Sequence, residues 1–295
     1  MENPLLWTIC QTLLNGIVLG GIYCLISVGL TVIVGVMKVV NFSQGECLTV
    51  GMYITYVLQI LTGWDPLILL VPVMIIMFLF GMGVFEIVIR PVVNRDKTVF
   101  TVVTMGLAYV LSTGLMLIFS ANPLPVDSAF KTTTLTLGSF SVAMPRAQSF
   151  VLMIAFIVAL NLFLKRTDMG RAMRATAENK EVSQMLGINT KTISRFAYGL
   201  GIMFAGVAGL LLTPTYYLYP TIGNSFKIMA MVCVVIGGLG NIGGAVVGGL
   251  LIGVVEAFLG TFISVDLAPA GSFVLLLLVL IFLPNGLFGK GERVA

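Results

Sequence analysis

Residues Leu5–Met37 read LLWTICQTLLNGIVLGGIYCLISVGLTVIVGVM, without a single charged side chain. A transmembrane helix needs roughly 20 apolar residues, so this run is more than long enough to cross a bilayer and too long for one perpendicular helix. It carries Gly16, Gly20, Gly21, Gly29 and Gly35, which leaves it tilted, kinked or split into two passes. Outward from it, apolar runs recur at Leu48–Leu61, Pro66–Ile89, Thr98–Phe119, Phe150–Leu164, Phe196–Tyr217, Ile228–Leu239, Ala245–Ile263 and Gly271–Leu283. The pattern predicts an all-α integral membrane protein of eight or nine spans, some broken or re-entrant, forming a single transmembrane domain over 1–295. Leu48–Leu61 and Ile228–Leu239 are too short to cross alone, which implies that their polar flanks also sit at membrane depth.

Composition agrees. Of 295 residues 58% are hydrophobic and 9% charged, against roughly 25% charged in soluble domains. The first run is not read as a cleaved signal, because Glu2 stands where a positive start belongs and further spans follow. Cys10, Cys24, Cys47 and Cys233 lie in or beside apolar stretches, without metal-ligand spacing or a disulfide framework. The sequence has no histidine, so the commonest proton shuttle and metal ligand is missing.

Loops rich in Lys and Arg stay cytoplasmic. Arg90, Arg95 and Lys97 surround one loop, seven basic residues between Lys165 and Arg195 fill the longest, and Lys290 and Arg293 end the chain. Threading the spans puts all three on one side, with the C-terminus cytoplasmic. Ser120–Ser149, Asp65 and Tyr216–Lys227 then fall outside. The N-terminus is outside if Leu5–Met37 is one span and inside if it is two.

The stretch 165–195 is polar with helical character: Met173, Ala177, Val182, Met185 and Leu186 are apolar amid charges, and Gly187 is a helix stop. It reads as a short amphipathic cytoplasmic helix, either docking into a partner's groove or lying on anionic lipid.

Four blocks in order carry a resemblance. They are Leu19-Gly20-Gly21-Ile22-Tyr23 through Gly29-Leu30-Thr31; Asn41-Phe42-Ser43-Gln44-Gly45-Glu46; Gly170-Arg171-Ala172-Met173-Arg174-Ala175 with Glu178-Asn179 and Leu186-Gly187-Ile188-Asn189; and Gly237-Gly238-Leu239-Gly240-Asn241-Ile242-Gly243-Gly244-Ala245. With the closing Pro284-Asn285-Gly286-Leu287-Phe288-Gly289, the chain resembles permease subunits of bacterial ABC importers for branched-chain amino acids. Where relatives commonly have Ala-His after Asn-Phe, this chain has Ser43-Gln44, which excludes a proton-linked role there. Lys38 beside the motif is a second departure.

The resemblance implies an inner-membrane importer with a second, homologous permease, two cytoplasmic ATPases that bind ATP and Mg, and a periplasmic substrate-binding protein. This chain would bind no cofactor. The coupling helix would be carried by Gly170, Arg171, Ala172, Arg174, Ala175, Ala177, Glu178, Leu186 and Gly187.

Candidate path residues are Asn41, Gln44, Glu46, Gly240, Asn241 and Glu256. Asn41–Glu46 must face protein, water or the interface; it either lines the path or forms a tight cytoplasmic turn, and the threading puts it near the cytoplasmic face. Gly237–Gly244 lacks the strand and the Gly-Lys-Ser/Thr ending of a phosphate loop. Its glycines, continuing to Gly253, either pack one helix closely on a neighbour or mark a broken helix facing the solute. Glu86 can pair with Arg90 four residues on, whereas Glu256 has no cation nearby in sequence. No catalytic set is recognisable. A permease for amino acids leads, with urea or amides as alternative solutes and a standalone ion-coupled carrier as the rival mechanism.

Overall fold

The computed structural model describes residues 4–93, 95–126, 128, 133–137 and 140–289. Lys290 and Arg293, used above in the threading, lie outside them. Eleven α-helices make up most of the described structure: α1 (Pro4–Met37), α2 (Gln44–Thr62), α3 (Leu70–Val84), α4 (Lys97–Phe119), α5 (Met144–Arg166), α6 (Asp168–Glu178), α7 (Lys180–Met185), α8 (Thr190–Leu212), α9 (Gly223–Gly237), α10 (Ile242–Phe262) and α11 (Ala268–Phe282). A π-helical turn, Phe85–Ile89, extends α3, and one antiparallel hairpin, β1 (Thr134–Leu137) with β2 (Phe140–Ala143), precedes α5.

Among the described residues, six helices are long and apolar enough to cross a membrane: α1, α3 with its π turn, α4, α5, α8 and α10. The apolar α9 and α11 are shorter. Leu5–Met37 is thus neither two passes nor broken, but one continuous helix, buried from Gly20 to Met37. Apolar all round, it suits the centre of the bundle. By contrast, α4 and α5 leave most of their apolar surface uncovered by this chain.

Glycines let the central helices touch. α1 and α10 run antiparallel, with Gly16 and Gly20 against Gly253 and Gly249. On α10 the next pair, Gly244 and Gly248, faces the other way, onto Gly237 and Cys233 of α9. The glycine run therefore has two smooth faces instead of one, each used for close packing.

Ties between chain-distant residues show which helix ends lie together. Glu86, near the start of the π turn, bonds Arg195 in the first turns of α8 at 3.1 Å. At the opposite end, Ser128 donates to Asp65 at 2.9 Å, Leu124 bridges to Leu218, and Gln11 of α1 pairs with the backbone of Ser141.

Candidate translocation and coupling sites

The chain turns back on itself after α1. Lys38 takes a left-handed conformation at φ 57°, and Asn41 Oδ1 then accepts from the Ser43 amide at 3.1 Å and the Ser43 hydroxyl at 2.8 Å. Asn41 Nδ2 donates to Gln44 Oε1, and Gln44 Nε2 donates to the Gly201 carbonyl at 3.1 Å. Gly201 is the midpoint of α8, about 16 Å along the axis from either end at 1.5 Å per residue. α2 therefore begins in the middle of the bundle, not at its rim. From there it climbs beside the second half of α8, with Gly51 on Gly206.

α9 begins at the same level, for Gly223 packs directly on Gly45 and Thr49. The segment between α8 and α9 runs back down into the bundle to reach it. Two helix N-termini thus meet at mid-depth, with Glu46 in the first turn of α2 and Lys227 at the start of the second turn of α9. Lys227 Nζ donates to Glu46 Oε1 at 2.7 Å and to Asn224 Oδ1 at 2.9 Å. The Glu46 side chain is 4% exposed and that of Lys227 18%. Glu46 Oε2 is buried with no hydrogen-bond partner. The Tyr198 hydroxyl lies beside Asn41 and Ser43, also without closing a bond.

This geometry corrects two sequence readings. Asn41–Glu46 is not a turn at the bundle's end, and Lys227 is not part of an outer loop. Both short apolar runs begin where their polar flanks enter the bundle, as their lengths imply. Lys227 and Asn224 were missed as site residues; the available signal was a lone cation directly before a run too short to span.

The other candidates lie apart from this cluster. Gly238 and Gly240 take φ of 97° and 82°, making the tight turn between α9 and α10, where Gly240 packs on Gly35. Asn241 caps α10 by accepting from the Gly244 amide at 3.0 Å, and its own amide donates to Phe288 O. The tail is seated there too, Leu287 N donating to Ile236 O at 2.7 Å. Glu256 is half-buried on α10 and finds a partner that sequence spacing could not show: Tyr23 Oη donates to its Oε2 at 2.7 Å. Of two consecutive residues of α9, Lys227 binds Glu46 and Phe226 packs obliquely on Tyr23, the partner of Glu256, with ring centroids 6.4 Å apart.

The stretch 165–195 forms two helices instead of one. Thr167 caps α6 by accepting from Gly170 N at 3.0 Å, and Asn179 ends it by capping α7, accepting from Glu181 N and Val182 N at 3.0 Å. Gly170, Met173 and Thr176 are buried; a Cβ on Gly170 would meet Leu164 Cα at 2.5 Å. Arg171, which pairs with Asp168, and Arg174 and Glu178 face outward, while Ala172, Ala175 and Ala177 are half-buried. Gly187 ends α7 with φ 81°. Met185 and Leu186, beside it, are 85% and 74% exposed. Two large apolar side chains thus project together from a charged surface.

Comparison with known proteins agrees with this architecture. Residues 12–284 match the family described as "Branched-chain amino acid transport system / permease component". The chain is 32% identical to the high-affinity branched-chain amino acid transport system permease protein LivH of Salmonella typhimurium, over 96% of both chains. It is 31% identical to the permease protein BraD of Pseudomonas aeruginosa, over 98% of both. A probable branched-chain amino acid transport permease of Methanocaldococcus jannaschii is 26% identical over 85% of this chain and 81% of its own. No solved structure matches significantly. The chain belongs to the branched-chain amino acid permease component family: it is a multi-pass membrane transport subunit and not itself an enzyme.

Proposed function

We propose that this chain is one of two permease subunits in an ATP-driven importer of branched-chain or related amino acids in a bacterial inner membrane. A second, homologous permease completes the pathway, two cytoplasmic ATPases carry ATP and Mg, and a periplasmic binding protein delivers the solute. The basic helix ends face the cytoplasm, in keeping with the positive-inside rule. The observation that carries the reading is the exposed Met185–Leu186 pair on α7, supported from below by the buried face of α6. An exposed apolar pair on a short helix outside the bundle suits a groove in a partner protein. Gly170, Arg171, Ala172, Arg174, Ala175, Ala177, Glu178, Leu186 and Gly187 form this coupling element, with Gly170 holding it to the bundle.

The path itself runs past Asn41, Gln44 and Glu46, where two helices start at mid-depth. Such interrupted helices around a polar centre suit solute passage through a bilayer. Gly240, Asn241 and Glu256 serve the path indirectly, by fixing the α9–α10 turn and the Tyr23 side of the bundle.

The test is uptake of labelled leucine into proteoliposomes holding this permease with its ATPases, second permease and binding protein. Accumulation should require both ATP and binding protein. Uptake by this chain alone, driven by an ion gradient, would overturn the reading in favour of a carrier. Uptake of urea but not leucine would move the substrate assignment.

A further inference from the structure

The geometry points to Lys227 and Glu46 as the site that takes the two charged ends of a zwitterionic solute in mid-membrane. The assignment rests on the amino acid importer reading above and adds to it the residues that meet the solute.

Charged side chains at membrane depth are costly and face a protein interior or a water-filled cavity. This pair stands at the level of the midpoint of α8, where Gln44 bonds Gly201. It is not closed. An ammonium has three donors, and Lys227 Nζ spends two, on Glu46 Oε1 and Asn224 Oδ1. A carboxylate has two oxygens, and Glu46 Oε2 accepts nothing although it is buried. One unused donor and one unused acceptor therefore sit side by side, which is the complement of an α-carboxylate and an α-ammonium on one carbon.

Charge supports the same conclusion. The pair is neutral and so is a zwitterion, so the site holds no net charge before, during or after passage. A lone cation or anion would not have that property in low dielectric. Access exists on one side: Asn224 and Ile228 of α9 are exposed and Lys227 is partly so, all three on one helical face by their spacing of three to four residues. Solute entering along this face meets Lys227 first. Its carboxylate accepts a hydrogen bond from the third Nζ–H, the lysine swings off Glu46, and the solute ammonium replaces it as donor to the Glu46 carboxylate. Every bond broken is replaced by one of the same kind.

A purely structural ion pair behaves differently, because replacing both members of a buried pair with apolar or neutral residues of similar size is often harmless. The experiment is therefore the double variant Glu46→Gln/Lys227→Met and the single variant Lys227→Arg, each in the complete reconstituted importer. Three readouts are taken: leucine uptake, binding-protein-stimulated ATP hydrolysis and thermal stability of the detergent-extracted complex. The double variant should assemble and hydrolyse ATP normally, with leucine uptake at least tenfold down. Lys227→Arg covers the case in which the double variant does not assemble. A guanidinium can engage both carboxylate oxygens, filling Glu46 Oε2, so the complex should be as stable as the parent and yet at least fivefold slower in uptake. Unchanged uptake in either variant would overturn the assignment and leave the pair a structural one. Failure of the importer reading would look different, since the unmodified complex would then show no ATP-dependent leucine uptake.

Discussion

Gly45 and Gly223 meet backbone to backbone: a Cβ on either would run into the carbonyl oxygen of the other. This contact brings the starts of α2 and α9 together at mid-depth and holds Glu46 within reach of Lys227. Neither glycine is at a turn requiring positive φ; both are needed for closeness alone.

Gly45→Ala or Gly223→Ala should therefore force α2 and α9 apart. Overpacking in a filled interior costs typically 1–3 kcal/mol, and here the opposing atoms are backbone, which cannot rotate away. A lower yield of folded permease and a lower melting temperature are expected for each variant. Gly83→Ala and Gly106→Ala serve as controls, for a Cβ at either position meets nothing within 4 Å. If all four variants melt alike, the contact does not hold the two helices.

The same logic applies at Gly248, whose added side chain would strike the Cys233 carbonyl. Gly248→Leu should wedge α10 from α9 and impair folding or assembly, as measured by the fraction of extracted protein that is monodisperse. A stable, fully active variant would mean that α9 and α10 separate without consequence.

Much of this was legible in the sequence, for identifiable reasons. Long apolar runs place helices because a bilayer leaves the backbone few alternatives, and every run named from sequence corresponds to a helix. The short runs at Leu48–Leu61 and Ile228–Leu239 already implied polar groups at depth. What the sequence could not supply was partnership across 181 positions between Glu46 and Lys227, or across 233 between Tyr23 and Glu256. Positive-inside counting moves in whole spans, so it put Glu46 near one face and Lys227 near the other. Two half-length helices starting in the middle defeat that arithmetic. Likewise Glu86 showed its local partner Arg90 by spacing, but Arg195, which binds the second carboxylate oxygen, is visible only in the fold.

Sidedness gives a third prediction. In a background with the half-exposed Cys10 replaced by serine, a cysteine at Asn122 should react with an impermeant maleimide from the periplasmic side. One at Glu181 should react only after permeabilisation. Both positions are exposed, and the remaining cysteines are buried, so labelling reports the new residue. The reverse pattern would invert the topology inferred from Lys and Arg.

The last prediction concerns coupling. Small side chains on α6 first suggest close approach by a partner, and Ala177→Glu would then test docking. The structure makes that variant ambiguous, because Ala177 is half-buried and packs against the core, so a glutamate there disturbs α6 itself. Met185 and Leu186 are better placed, being among the most exposed large apolar residues of the chain. A substitution at such a position usually changes stability by no more than about 0.5 kcal/mol. An apolar anchor buried in a partner's groove is worth about 2 kcal/mol or more, roughly thirtyfold in affinity. Met185→Glu/Leu186→Glu should therefore leave the permease inserted and as heat-stable as the parent, while the ATPase subunits no longer co-purify and binding-protein-stimulated ATP hydrolysis falls at least tenfold. A helix lying on lipid would respond otherwise: added acid would weaken its membrane attraction by about 1 kcal/mol per charge and leave ATP hydrolysis alone. Normal co-purification with normal stimulation would move the coupling surface off α7, to the Arg90–Lys97 loop beside the Glu86–Arg195 tie.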